Sequence, residues 1–319
     1  MWFNKMVLMI LIFSLMIVFS SSSWFSMWIG LELNTMAFIP LLLIKNSLLS
    51  SESSMKYFLI QAMASNLMLF SSNLLMSMNS NMFSFLMMLA MLMKMGMFPF
   101  YQWYLSIMNK ISWMNISLIM TIQKFSPMYI FYNCFMKTPM IWAIIILNSF
   151  VGVILAFNNT SMKKILACSS INHMSWMISS LIMSISLLIN YMVVYFILLL
   201  TLIYLMNFYS IYSLNDMFMM NSLMLSFVIL SLMGLPPLSG FIIKWYVIQF
   251  LLLNNLMIIS SVMVMSSLVS MYFYLRLTWI SFMLYTYNPI YLMKKKFMNL
   301  KFIMLVTPSI MLLPLTFVL

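Results

Sequence analysis

Residues 82–108 read MFSFLMMLAMLMKMGMFPFYQWYLSIM, an apolar run that carries a lysine, Lys94, two residues before Gly96 and five before Pro99. A membrane-crossing helix needs about 20 mostly apolar residues, so the run is long enough to cross. Proline removes a backbone hydrogen bond and kinks a helix. The backbone groups it frees are tolerated in hydrocarbon only where they are buried in protein or line an internal cavity. The stretch therefore predicts one crossing made of two half-helices, with a lysine at the interruption. Residues 217–253 repeat the pattern: Gly234-Leu-Pro236-Pro237-Leu-Ser-Gly240 breaks an apolar run and Lys244 follows.

The rest of the chain has the same character. Hydrophobic residues make up 65% and charged residues 6% of its 319 positions, which excludes a soluble globule. The fold class is all-α, a polytopic membrane protein with little room for an extramembrane domain. Apolar windows fall near 6–20, 24–44, 57–76, 82–108, 112–133, 139–157, 164–185, 186–209, 217–253, 255–282 and 300–319, about eleven transmembrane helices of which the fourth and ninth are broken. The broken windows lie five spans apart, and an odd offset inverts orientation. An inverted-topology repeat is thus expected: 1–133 as the first repeat, 139–282 as the second, and 300–319 as an appended helix. Paired interruptions in corresponding positions are a pointer to a transport site.

Counting eleven crossings also sorts the loop charges. Lys5, Lys45, Lys56, Lys110, Lys163, Lys164, Lys294, Lys295, Lys296 and Lys301 fall on the side of the N-terminus, and Lys137 falls opposite. The positive-inside rule then places the N-terminus on the inner face and the C-terminus on the outer one. The net charge of +12 is spread over short loops rather than gathered on a folded face. Anionic lipid headgroups are the partners this implies, and nucleic acid is not. The first apolar run lacks a small-residue cleavage site and is read as a retained helix. Forty-four methionines among plentiful Ser and Asn suit an AT-rich organellar gene.

Charge within the spans carries the functional argument. A charged residue at a helix centre costs about 2.5 to 3.5 kcal/mol on insertion scales, so Glu32, Lys94, Lys124 and Lys244 must face protein, water or one another. Proton or ion conduction is the default expectation for such a set. Lys94 and Lys124 lie too far from their span ends for comfortable snorkelling, whereas Lys244 is nearer a loop, where snorkelling competes. Glu32 could instead be a protonated packing residue. His173, the only histidine, sits among Ser169, Ser170, Asn172 and Ser175 and is either a proton-exchanging group or a satisfied interior polar residue. Cys134 and Cys168 offer neither ligand spacing nor a disulfide framework, and both read as small buried residues. No cofactor is expected on this chain. Arg276 and the Lys294–Lys296 run read as headgroup anchors.

Several local strings resemble the animal mitochondrial NADH dehydrogenase subunit 2 family, antiporter-like membrane subunits of respiratory complex I. They are Trp28-Ile-Gly-Leu-Glu32-Leu-Asn34, Lys56-Tyr-Phe-Leu-Ile-Gln61, Lys94-Met-Gly96-Met-Phe-Pro99 with Trp103, Gln123-Lys124-Phe-Ser-Pro127, Ser169-Ser-Ile-Asn-His173-Met-Ser-Trp176, and Leu235-Pro236-Pro237-Leu-Ser-Gly240 with Lys244-Trp245. The resemblance implies a mitochondrial inner-membrane subunit that couples electron transfer elsewhere in the complex to outward proton transfer. It implies that Glu32 pairs with Lys94, that Lys124 is a central relay, and that Lys244 gates the far side; the residues themselves suggest His173 as a step between Lys124 and Lys244. Partners would be other membrane-arm subunits, including subunits 4 and 4L, and lipid; a homo-oligomer is not expected. Two alternatives stay open from residues alone: a free-standing cation/proton antiporter and a non-pumping spacer of the membrane arm.

Overall fold

In a medium that offers no hydrogen bonds, a chain satisfies its backbone within helices, and the computed structural model follows that rule. It describes residues 2–44, 47–78, 81–135, 140–218, 223–236 and 238–287. The expected eleventh span at 300–319, Pro237, and Lys45, Lys137, Lys294, Lys295, Lys296 and Lys301 lie outside them. The described secondary structure is helical apart from one isolated antiparallel bridge between Ser161 and Ser213. Six of the helices are long and apolar enough to cross a membrane, and four shorter ones are also apolar. The chain divides into two compact units, Met1–Ile141 and Trp142–Leu319.

The first unit contains α1 (Trp2–Ser20), α2 (Trp24–Leu43), α3 (Leu48–Met78), α4 (Asn81–Met95), α5 (Gln102–Met108), α6 (Trp113–Met120) and α7 (Ile122–Phe135). α2 packs against α1 and α3, α4 against α3 and α7, and α5 against α3. The fourth apolar window is two half-helices, as its glycine and proline require. Gly96 ends α4 at φ +66, with its N–H on Met93 O and the Met97 N–H on Leu92 O. That paired closure is available cheaply only to a residue without Cβ.

The fifth window departs from expectation. An unbroken helix was predicted over 112–133, and the chain breaks at Thr121, whose φ and ψ are −116 and −81. Both the N–H and the Oγ1 of Thr121 donate to Ser117 O, at 3.1 and 2.6 Å, and the N–H of Lys124 reaches back only to Thr121 O. Pro127 has no N–H to offer Gln123 O one turn later. A hydroxyl competing for the helix carbonyl and a proline downstream together open the ladder.

The second unit contains α8 (Met140–Phe157), α9 (Met162–Met183), α10 (Ile185–Phe208), α11 (Leu214–Phe218), α12 (Leu223–Met233), α13 (Ser239–Leu253) and α14 (Met257–Tyr287). At its centre, α9 is buried on every side from Ile165 to Leu181, against α10, α13 and α14. Its many serines and the glycine of α8 allow that approach. A Cβ on Gly152 would lie 2.8 Å from Asn172 N and 2.9 Å from Cys168 O, the kind of small-residue contact that membrane helices use to pack closely. α12 and α13 are the halves of the ninth window, closed at Gly234 with φ +88. α14 runs to Tyr287, so Arg276 lies well inside a helix rather than at its end, with Nε and Nη2 buried. Cys168 is buried and Cys134 partly buried, both as free thiols.

Two loops of this unit are tied together by Met162 N–H on Tyr212 O and Leu214 N–H on Thr160 O. Asp216 locks one of them. Its carboxylate accepts from the N–H groups of Tyr212 and Ser213, both at 2.8 Å, while Ser213 Oγ accepts from Asp216 N–H, a reciprocal cap. Those backbone donors hold the Asp216 carboxyl below the ordinary range. A depressed value means that the contribution is present above the ordinary carboxylate range and is lost as pH falls through the lower folded value. In Asp216→Asn the Tyr212 and Ser213 amides should exchange hydrogen faster than in the natural chain at neutral pH, the difference vanishing in acid; equal exchange at neutral pH would refute the lock. A second expectation concerns Gly240, where a Cβ would lie 1.8 Å from Ser231 O. Gly240→Ala forces backbone apart rather than a side chain, beyond the ~1–3 kcal/mol usual for overpacking. The amount of assembled, membrane-extracted protein on native gels should fall severely.

Candidate functional site

Four charged residues were expected inside spans, and the structure distributes them between the units. In the first unit Lys94 is 5% and Lys124 2% exposed. Among the described residues neither ammonium has a hydrogen-bond partner. Lys94 lies in the last turn of α4, where the negative end of the helix dipole favours a cation. Its charge and that of Glu32 act on each other, but the carboxylate of Glu32 is held by hydroxyls: Oε1 accepts from Ser65 Oγ, and Oε2 from Thr35 Oγ1 at 3.2 Å. Lys124 sits three residues after the Thr121 break, its Nζ 5.7 Å from the ring centroid of Tyr104, a cation–π distance.

Around these groups runs a polar network that the sequence reading did not assign. Gln61 Nε2 donates to the Lys94 carbonyl at 3.2 Å and Trp103 Nε1 to the Met93 carbonyl at 3.1 Å, so side chains of α3 and α5 cap one carbonyl at the end of α4 and add a second donor to another. Beside Lys124, Gln123 Oε1 accepts from Tyr57 OH at 3.1 Å while its Nε2 donates to Asn34 Oδ1 at 3.0 Å; Asn34 Nδ2 in turn donates to Ser126 Oγ at 3.4 Å. The signal available was polarity at apolar depth: Asn34, Gln61 and Gln123 are amides inside spans, each next to or within a string already singled out.

In the second unit, Lys244 is 7% exposed, and its Nζ donates to Met233 O at 2.9 Å and Leu232 O at 3.4 Å. The ammonium therefore turns inward to cap α12 across the interruption, and Gly234, whose Cβ would meet Nζ at 3.2 Å, leaves it room. His173, on the buried helix α9, places Nδ1 2.8 Å from Tyr191 OH and lies against the Tyr195 ring, tilted at 38° with 4.6 Å between centroids. Asn172 beside it keeps a buried Oδ1 without a hydrogen-bond partner. The arrangement supplies groups that exchange protons, namely three amines, an imidazole, a carboxylate and hydroxyls.

Residues 21–270 match the family described as NADH:quinone oxidoreductase/Mrp antiporter, TM. The chain is 38% identical over 311 residues to NADH-ubiquinone oxidoreductase chain 2 of Anopheles gambiae, covering 93% of this chain and 91% of that one. It is 35% identical over 340 residues to the protein of the same name from Oryctolagus cuniculus, covering 98% of each. Among solved structures, a chain of respiratory complex I from Thermus thermophilus aligns with TM-score 0.79 at 19% identity, over 88% of this chain and 71% of that one. The Mrp complex from a Dietzia species aligns with TM-score 0.74 at 14% identity, over 86% of this chain and 59% of that one. At those identities the structural likeness is one of fold.

The Lys244 geometry makes an expectation of its own. Lys244→Met leaves two buried carbonyls without a donor, a loss of roughly 1–3 kcal/mol. Lys244→Arg retains donors for them. Thermal inactivation of the purified, detergent-solubilised complex should occur earlier in the methionine variant and be largely restored by arginine; equal inactivation of all three would show that the cap is energetically idle.

Proposed function

The chain belongs to the NADH:quinone oxidoreductase/Mrp antiporter transmembrane family, among its NADH-ubiquinone oxidoreductase chain 2 members, and from that premise we propose that Glu32, Lys94, Lys124, His173 and Lys244 carry protons across the membrane. It is a multi-pass protein of the mitochondrial inner membrane and a subunit of complex I. The observation that supports the proton role best is the pair of buried ammonium groups, Lys94 and Lys124, without hydrogen-bond partners among the described residues. A spacer gains nothing from cations at this depth, where a charge is expensive and each is answered only by a neighbouring charge, helix dipole or ring rather than by a hydrogen bond. A lysine that must accept and release a proton needs such surroundings.

In this reading protons enter from the matrix and reach Lys124, with Glu32 and Lys94 setting its affinity by their charges, and leave by way of His173 and Lys244 toward the intermembrane space. The N-terminus faces the matrix and the C-terminus the intermembrane space, the orientation that the loop lysines favour. Moving one charge against the membrane potential costs about 2.3 kcal/mol per 100 mV. Electron transfer in neighbouring subunits supplies that energy, and this chain binds no cofactor of its own. Its partners are other membrane-arm subunits, including subunits 4 and 4L, and anionic lipid at the basic loops.

The test is proton uptake per NADH oxidised in sealed vesicles whose complex carries Lys124→Met. Normal assembly with the share of protons carried by this subunit lost is the expected result. Unchanged stoichiometry would leave the chain a spacer.

A further inference from the structure

The groups of the first unit that bear or border charge share a neighbour. Tyr57, Gln61 and Ser65 stand at four-residue intervals on α3, and all three are buried. Successive members of such a series lie on one helix face, about 6 Å apart along the axis. Each grips a different part of the site. Tyr57 donates to Gln123, the residue before Lys124; Gln61 donates to the carbonyl of Lys94; Ser65 bonds the carboxylate of Glu32. The ring of Tyr57 also lies edge-on to Trp103, which caps Met93.

We propose that this face of α3 is the positioning element of the proton site, and that the Ser65 hydroxyl is its responsive end, changing acceptor with the protonation of Glu32. The inference rests on the proton-carrying role proposed above for Glu32. Its chemistry follows from a count of hydrogens. A serine hydroxyl has one proton to donate and two lone pairs with which to accept. Ser65 Oγ has two acceptors in reach, Glu32 Oε1 and, at 2.9 Å, Ala62 O. With Glu32 ionised, the hydroxyl donates to the carboxylate. When Oε1 takes a proton, that O–H donates to Ser65 Oγ, and the hydroxyl hydrogen turns to Ala62 O. Heavy atoms stay in place, and one proton is gained by the carboxylate with no bond left unmade.

Thr35 repeats the device on the other oxygen, with Oγ1 2.8 Å from the Glu32 carbonyl and 3.2 Å from Oε2. Amides could not do this. Gln61, Gln123 and Asn34 present donors and acceptors on fixed ends, so the bonds they make hold helices in register and leave proton movement to the hydroxyls, the carboxylate and the amines. Tyr57 and Gln61 thus fix where the amines stand relative to α3, and Ser65 fixes the acid to the same rigid body. A movement of α3 would be felt by all three at once.

A hydrogen bond to a charged group changes a proton equilibrium by roughly tenfold or more. The test uses the intact complex in sealed vesicles carrying Glu32→Gln, Ser65→Ala, Ser65→Thr or Thr35→Val. Two quantities are read: protons moved per NADH, and the infrared carboxyl stretch of Glu32, identified by its loss in Glu32→Gln. Ser65→Ala should shift the Glu32 band and lower the proton yield while NADH oxidation continues, and Ser65→Thr should restore both. Thr35→Val removes the second hydroxyl at nearly constant volume and should shift the same band, which keeps the proposal testable if Ser65→Ala fails to assemble. A normal proton yield in Glu32→Gln would overturn the role of Glu32 and this inference with it. Loss of pumping in Glu32→Gln beside an unmoved band and yield in Ser65→Ala, or an unmoved band in Thr35→Val, would overturn the inference alone.

Discussion

A helix interrupted inside a membrane leaves backbone carbonyls that no solvent can satisfy, and the rest of this structure is arranged around that fact. The end of α4 draws in Gln61 from α3 and Trp103 from α5. The end of α12 draws in Lys244 from α13. Polar side chains that would be misplaced in an ordinary apolar span are needed at such points, and they bring chemistry with them. At the end of α12 the buried charge is itself the cap, whereas at the end of α4 neutral side chains cap the carbonyls and the charge lies beside them. Lys94 and Lys124 lie two and three residues from a break, at Gly96 and Thr121, and Lys244 reaches its break through space from the second turn of α13.

Much of this was legible in the sequence. Gly96, Pro99, Gly234 and Pro236 announce their breaks because glycine and proline are poor choices for a helix interior. The charges announce themselves by their cost. The Thr121 break was not legible: threonine is common in membrane helices, and whether its hydroxyl bonds back to a carbonyl depends on its rotamer and on what packs beside it. The inward turn of Lys244 was equally hidden. Its distance from the chain's loops suggested that the ammonium could snorkel outward, and only the fold shows that two orphan carbonyls lie closer. The polar face of α3 was masked by its surroundings, because Ser51, Ser53, Ser54, Ser71 and Ser72 also donate to their own helix carbonyls. Ser65 does the same, and differs in having a carboxylate within reach.

α9 shows how a site can be polar and still well packed. From Ile165 to Leu181 it has no exposed face, yet it carries Ser169, Ser170, Asn172, His173, Ser175, Ser179 and Ser180. Serine hydroxyls that turn back to their own carbonyls cost little in such a place, since the donor is satisfied within the helix. They also keep the side chains small, which lets α8 approach at Gly152. His173 is thereby held in a fixed frame with Tyr191 and Tyr195 around it.

The two lysine-bearing breaks differ in how they are closed, and the difference bears on function. At Gly96 the backbone closes on itself: Met97 and Gly96 amides take Leu92 O and Met93 O, Trp103 adds a second donor to Met93 O, and Gln61 takes Lys94 O. The Lys94 ammonium caps none of these carbonyls, and its charge acts instead with that of Glu32. At Gly234 the amide reaches back to Leu230 O and Ser231 O, which leaves Leu232 O and Met233 O to Lys244. A neutral amine still has hydrogens to donate, but it no longer answers the negative end of the α12 dipole. If the two amines exchange protons as proposed, deprotonation of Lys244 weakens the hold between α12 and α13, whereas deprotonation of Lys94 changes chiefly the field at Glu32, so the first break would answer electrostatically and the second by loosening a helix end.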